Sequence, residues 1–300
     1  MSNKKVYAFG EVLFDEYRGV KKLGGAPFNY TCHLNKLFRE TFLISAVGND
    51  EDGQSILSYM KGNSVPTDYI QIDEKHKTGL VKVELSADKV PDYKILRNRA
   101  YDNINIDINV SANIENTASL FYFGTLAQRS TVSRNTLNNL FGKDVKYLFD
   151  VNLRQNFYTK EILTNSFHTA NVVKMNIDEL RIINVLFYNG DTPDLNKTAL
   201  SLISDYNLDL LSITLGGEGA VLINKNDKHF HKEPAEKLVS TVGAGDAYSA
   251  ILTIGYLSGW DLERINKSAT KFASGICGID GAIPEDDKFY FKFKKMIKDG

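Results

Sequence analysis

Short apolar runs rich in β-branched and aromatic residues alternate with segments of helical period along most of this chain. That order predicts a mostly parallel sheet with helices on both faces. The runs Val6 to Phe9, Phe42 to Val47, Leu120 to Phe123, Tyr147 to Phe149, Val172 to Met175 and Leu210 to Leu215 are the predicted strands. Helix starts are marked between them. Pro27 falls early in a helix opened by Ala26, Asn49-Asp50-Glu51-Asp52 precedes Ile56-Leu57, and Ser130-Thr131 precedes Leu137 to Leu140. The last third predicts a hairpin from Val221 to Ile223 and Lys228 to His231, then helices from about Ala244 to Leu257 and Leu262 to Gly275.

Two stretches interrupt the alternation, Glu11 to Val20 and Thr78 to Leu96. In the second, Leu80-Val81-Lys82-Val83-Glu84-Leu85 has the two-residue period of a half-exposed strand, and neither stretch leads straight into a helix. Strands of this kind are expected to pair with each other off the main sheet, as a small β flap built from about residues 11–23 and 78–103. A flap with one apolar face also suggests a homodimer formed through it.

Composition narrows the function classes. The 300 residues are 43% hydrophobic and 24% charged, enough apolar material for one large α/β domain over 1–300 with a small appendage. Thirty-six Lys plus Arg against 37 Asp plus Glu leave a net charge of −1, so no global field collects nucleic acid or an anionic membrane. Any anionic ligand needs a local site. Cys32 and Cys277 lack metal-ligand spacing and read as free thiols, and Met1-Ser2-Asn3-Lys4-Lys5 runs into Val6 without an apolar signal region. No run approaches the ~20 apolar residues of a bilayer span. A cytoplasmic protein is expected. His33, His76, His168, His229 and His231 form no defensible triad or ligand set.

The strongest local chemistry lies at Thr241-Val242-Gly243-Ala244-Gly245-Asp246. Gly243, Ala244 and Gly245 lead an extended segment into an apolar helix, and small residues at a helix N-terminus let an anion approach free N–H groups and the positive end of the dipole. Asp246, in the first turn, could take a proton from a hydroxyl held beside that anion, which is what phosphoryl transfer to an alcohol requires. Taken alone, Asp246 could equally do no more than complement the helix dipole. The run is neither a Walker A loop nor a dinucleotide fingerprint.

The segment Ser240 to Tyr248 resembles the C-terminal signature of the ribokinase-like (PfkB) carbohydrate kinases, Asp-Thr-x-Gly-Ala-Gly-Asp-x-Phe. Further stretches resemble that family in its own order. They are Gly10 to Asp15, Gly24-Gly25-Ala26-Pro27-Phe28-Asn29, Val47 to Gly53, Asp150-Val151-Asn152-Leu153-Arg154, Asn176 to Glu179, and Thr214 to Ala220. The resemblance implies a ribokinase-like three-layer α/β sandwich with a small β-sheet lid, and an ATP-dependent sugar kinase. It implies Asp246 as the catalytic base, with Gly243, Ala244 and Gly245 as the anion hole. Asp15, Gly24, Gly25 and Asn29 would bind sugar hydroxyls, with Arg99 and Arg154 near the substrate or the transferred phosphate. Asn176, Thr214, Gly216, Gly219 and Ser274 would line the ATP site, and Glu179, with Asn176, would act on Mg²⁺ through water. Each also has a plain structural reading: Asn29 as a cap, Gly24-Gly25 as a turn, Glu179 as a solvated helix face, and Asp150 and Asn152 as strand-end turn residues.

Ser240 stands where the family usually has an aspartate that helps hold a monovalent cation, and Ala250 replaces a common glycine, so potassium dependence is not implied here. Gly-Glu-x-Leu-x-Asp followed by Gly-Gly-Ala-Pro-x-Asn is more similar to fructokinases than to ribokinases or nucleoside kinases, which points to D-fructose and 6-phosphorylation. The alternatives are 2-keto-3-deoxygluconate kinase, which would want Arg97, Arg99 or Arg154 on a carboxylate, and ribokinase. From another class stands a catalytically silent sugar-binding regulator. An oxidoreductase lacks its glycine fingerprint after the first strand.

Overall fold

The computed structural model describes residues 5–37, 40–85, 91–142, 144–190 and 194–299. In chain order the first part contains β1 (Lys5–Phe9), β2 (Leu13–Tyr17), β3 (Val20–Gly24), α1 (Ala26–Lys36), β4 (Thr41–Gly48), α2 (Glu51–Gly62), β5 (Ile70–Asp73), β6 (Gly79–Leu85) and β7 (Pro91–Ile95). The middle adds α3 (Ile108–Thr117), β8 (Ala118–Gly124), α4 (Thr131–Asn139), β9 (Lys146–Asp150), α5 (Lys160–Thr169), β10 (Val172–Asn176), α6 (Ile177–Tyr188) and α7 (Leu195–Asp205). The remainder is β11 (Leu210–Thr214), β12 (Ala220–Ile223), β13 (Lys228–His231), α8 (Ala244–Leu257), α9 (Leu262–Ile276) and α10 (Lys288–Asp299).

Nine strands form one sheet in the order β13-β12-β11-β10-β9-β8-β1-β4-β5. From β11 to β5 neighbours run parallel, and only the β11–β12 and β12–β13 pairs at one end are antiparallel. Two-residue alternation sends each strand's side chains into two separate cores. Tyr7 and Phe9 of β1 pack with Leu137 of α4, Leu163 and Phe167 of α5 and Ile183 of α6. Val6 and Ala8 of the same strand pack with Phe28 of α1, Ile251 of α8 and Phe272 of α9. This is a three-layer α/β sandwich. Every predicted strand and the final hairpin are present, whereas β5, α3, α5, α7 and α10 were not named in the sequence reading.

The interrupting stretches do leave the main sheet. They form a second sheet in the order β3-β2-β6-β7, with β2 parallel to β6 and both outer pairs antiparallel. Residues 86–90 of the expected flap lie outside the described residues. Among the described residues no helix is long and apolar enough to cross a membrane. Cys32 and Cys277 are free, as their spacing suggested.

The chain can enter α1 only through Gly25. Its φ is +110°, and a Cβ there would stand 2.5 Å from the carbonyl oxygen of Glu11. Both the sign of φ and the approach exclude a side chain without backbone movement. We expect Gly25→Ala to destabilise the protein by about 1–3 kcal/mol, read from the urea midpoint. Gly62→Ala, where an added Cβ meets nothing within 4 Å, should be neutral or mildly stabilising in the same measurement.

Candidate active site

The carboxyl ends of β9, β10 and β11 lie side by side, since Asp150 pairs with Lys174 and Asn176 with Thr214. Ligands of open α/β sheets bind at that edge, near the point where strand order reverses, and here the reversal falls at β1 between β8 and β4. Glu11 and the β2 residue Asp15 follow β1 directly.

At this edge sits a buried lysine that the sequence motifs did not single out. Lys174 Nζ donates to both carboxylate oxygens of Asp150, at 3.1 and 3.2 Å, with 10% and 1% of the two side chains exposed. The second oxygen of Asp150 also accepts from the hydroxyls of Tyr122 and Ser249, each at 3.0 Å. Burial opposes the ammonium of Lys174, but the carboxylates of Asp150, Glu179 and Asp246 outweigh it and raise its pKa. The available signal was a lone charge inside the apolar run Val172-Val173-Lys174-Met175.

α8 starts above this pair. Gly243 is its N-cap with φ +79°, and a Cβ there would lie 2.4 Å from the Cβ of Ala282. A Cβ on Gly245 would stand 2.9 Å from Lys174 Nζ, so Gly245 must be bare for the helix to begin over the ammonium. Ala244 N–H turns back to Thr241 at 3.3 Å, and Ala247 N–H begins the helical ladder on Gly243 at 2.9 Å. Among the described residues, the N–H groups at this helix start without a backbone acceptor are those of Gly243, Gly245 and Asp246, which include two of the three expected in the hole.

The Asp246 carboxylate is half-buried and accepts from Asn29 Nδ2 at 2.8 Å. Its pKa is pushed up to about 6, chiefly by desolvation and also by the charge of Asp150, against the Asn29 bond and the charges of Lys174 and Arg154. Asn29 comes from the second turn of α1 and makes no helix cap. Its Oδ1 is buried without a hydrogen-bond partner among the described residues, so an acceptor is left over beside Asp246. Glu11, 3% exposed, is raised to about 7 by burial, and Asp15 is raised as well. The exposed Arg154 acts on all three of Glu11, Asp15 and Asp246, and Lys174 joins it at Asp246. Gly24 ends β3, and its Cβ would lie 3.2 Å from Asp15 Oδ2. Arg99 instead heads the short helix Ala100–Asn103, with its N–H on Asp102.

On the other side Asn176 caps α6, accepting from Asp178 and Glu179 N–H, and Glu179 returns a bond to Asn176 N–H at 2.8 Å. The second oxygen of Glu179 accepts from Leu153 N–H at 2.9 Å, and the residue is 6% exposed, so it is no solvated helix face. Burial raises its pKa while Lys174 and the two N–H donors lower it. Gly216 and Gly219 shape the turn from β11 to β12. Gly219 has φ +101°, and a Cβ on it would come within 2.2 Å of the His231 carbonyl oxygen. Ser274 lies in the last turn of α9, whose C-cap Cys277 accepts from Val239 and Ser240 N–H in the segment leading to Gly243.

A doubly wound α/β sandwich with a side sheet, an anion-ready helix start and a neighbouring carboxylate defines a group-transfer enzyme acting on a small molecule. The chain belongs to the pfkB family of carbohydrate kinases, whose family model matches residues 3–288. It is 30% identical over 271 residues to a Pyrococcus horikoshii protein described as a sugar kinase, covering 85% of this chain and 80% of the relative. It is 27% identical over 311 residues to Fructokinase-2 of Zea mays, covering 94% and 91%. The crystal structure of the Pyrococcus protein superposes with a TM-score of 0.80 at 27% identity, over 98% of this chain and 99% of that one. A Vibrio cholerae fructokinase with fructose and ADP bound shares the fold, with a TM-score of 0.74 at 21% identity over 96% and 98%.

Removing Lys174 strands a buried carboxylate. Lys174→Met should destabilise the protein by about 3–5 kcal/mol in chemical denaturation, and Lys174→Met with Asp150→Leu should recover much of the loss.

Proposed function

We propose that this sugar kinase transfers the γ-phosphate of ATP to a hydroxyl of a small neutral sugar, with D-fructose to fructose 6-phosphate as its reaction. The observation that carries the reading is the placement of Asp246, a carboxylate with raised pKa held by Asn29 at 2.8 Å beside the open first turn of α8. The acceptor oxygen forms its bond to the γ-phosphorus, the bond to the β–γ bridging oxygen breaks, ADP leaves, and the hydroxyl proton passes to Asp246. Gly245 and Asp246 N–H and the Lys174 ammonium bear charge on the transferred group.

Charge on the acceptor side supports a neutral substrate. Glu11, Asp15 and Asp246 outnumber the cations that act on them, Arg154 and, at Asp246, Lys174, an arrangement that suits a polyol and disfavours the carboxylate of 2-keto-3-deoxygluconate. The fructokinases among the relatives support fructose in particular. For the donor, the Pyrococcus protein has been solved in complex with ATP, at 26% identity. Thr214, Gly216, Gly219 and Ser274 lie on the elements that would flank the nucleotide. The small sheet is the lid that excludes water during transfer.

No group of three or more His, Cys, Asp or Glu among the described residues could hold a metal by itself. Glu179 and Asn176 are the residues that would meet, through water, an ion carried on phosphate oxygens. Magnesium held that way supplies neutralisation of the phosphate charge.

ATP turnover measured against fructose, other ketoses, aldoses, keto-acids and nucleosides tests the reading. Fructose should drive the fastest ADP release, and Asp246→Asn should lower kcat by about 10²–10⁴. Preference for another sugar would replace fructose, and turnover with none would overturn the kinase reading for this chain. Because a base must be unprotonated and the pKa of Asp246 is raised, kcat/KM should fall as pH drops through about 6, above the ordinary aspartate range.

A further inference from the structure

Away from the residues around Asp246, a cavity of about 320 Å³ opens between the root of the small sheet and the starts of α4 and α5. It shares no lining residue with the group formed by Asp15, Asn29, Arg154, Lys174 and Asp246. Three guanidinium groups line it, from Arg97, Arg129 and Arg134, against one carboxylate, Asp102.

That carboxylate is already engaged. Asp102 accepts from Arg129 Nε at 2.8 Å and Nη2 at 2.9 Å, and from Arg99 N–H at 3.0 Å. Arg129 Nη2 also reaches the Leu96 carbonyl at 2.7 Å, which ties the guanidinium to the residue after β7. Its side chain is 7% exposed, and Nη1 is left without a hydrogen-bond partner among the described residues. Phe157 lies between two of the cations, with Arg97 and Arg129 4.9 and 4.6 Å from its ring centre. Arg134 spends only one nitrogen, donating from Nη1 to the Gln128 carbonyl at 3.1 Å. Ser130, at the N-cap of α4, makes no side-chain bond to the helix's first turn.

We propose that this cavity is a second binding site, separate from the catalytic one, for a small phosphate monoester of sugar-phosphate size. Guanidinium forks match phosphate oxygens in pairs, and the open first turn of a nine-residue helix adds N–H donors with the favourable end of its dipole. A net excess of cations calls for an anion. The volume sits at the lower end of small-molecule sites, which suits a phosphorylated three- to six-carbon compound rather than a nucleotide.

Titration calorimetry of the full chain with glycerol 3-phosphate and with inorganic phosphate tests the site, with amide hydrogen exchange to locate it. Glycerol 3-phosphate should bind and protect the stretches around Ser130 to Arg134 and Thr159 to Ile162, while Gly243 to Asp246 stays unprotected. Arg134→Gln should weaken binding by about tenfold while sugar-dependent turnover without added phosphate compound stays unchanged, and Arg97→Gln should weaken binding by a similar factor. These surface-reaching side chains spare the Arg129–Asp102 pair, so the variants remain folded. Equal binding of inorganic phosphate would narrow the recognised group to phosphate itself and uphold the site. Absence of binding, protection confined to Gly243 to Asp246, or affinity unchanged in both variants would overturn it.

Discussion

A lysine ammonium held against an aspartate carboxylate at the carboxyl edge of the sheet is the constraint on which the rest of this site depends. Lys174 and Asp150 are almost removed from water, where an ion pair survives only if its remaining donors and acceptors are satisfied. Tyr122 and Ser249 supply hydroxyls to Asp150, and Glu179 and Asp246 supply further negative charge around Lys174. Gly245 is bare at the same place, where a Cβ would stand 2.9 Å from the ammonium and push it from its partner. The helix that presents Asp246 thus has a buried cation beneath its first turn.

The neighbourhood holds more carboxylates than cations. Glu11, Asp15, Asp150, Glu179 and Asp246 stand against Lys174 and Arg154, and that excess, added to desolvation, raises the pKa values of Glu11 and Asp246. The arginines cluster instead in the cavity below the small sheet, where one engaged aspartate opposes three guanidinium groups. The two regions share no lining residue, and Glu11 of the first acts on Arg129 of the second.

Much of the fold was legible because the strands are buried on both faces and bounded by turn residues, so runs such as Val172 to Met175 stand out. The separate β flap was legible for the opposite reason, a half-exposed period at Leu80 to Leu85. β5 was missed because Ile70-Gln71-Ile72-Asp73 is only four residues long, too short for its alternation to stand out, and only pairing with β4 makes it a strand. α3 carries few periodic apolar residues and depends on its packing through Ile114.

The sequence by itself determined the glycine turn at Gly243 to Asp246, the helix that follows it and the family to which the chain belongs. Those properties reside in local backbone requirements and in the order of motifs. Tertiary structure alone decided that Asn29, from α1, would hold Asp246, and that Arg154 would act on Glu11, Asp15 and Asp246 together. It also turned Glu179 from an apparent helix-face residue into a buried acceptor of two backbone donors. These are relations between residues tens to hundreds of positions apart. No local pattern encodes them, because desolvation and charge act through distance in space rather than along the chain.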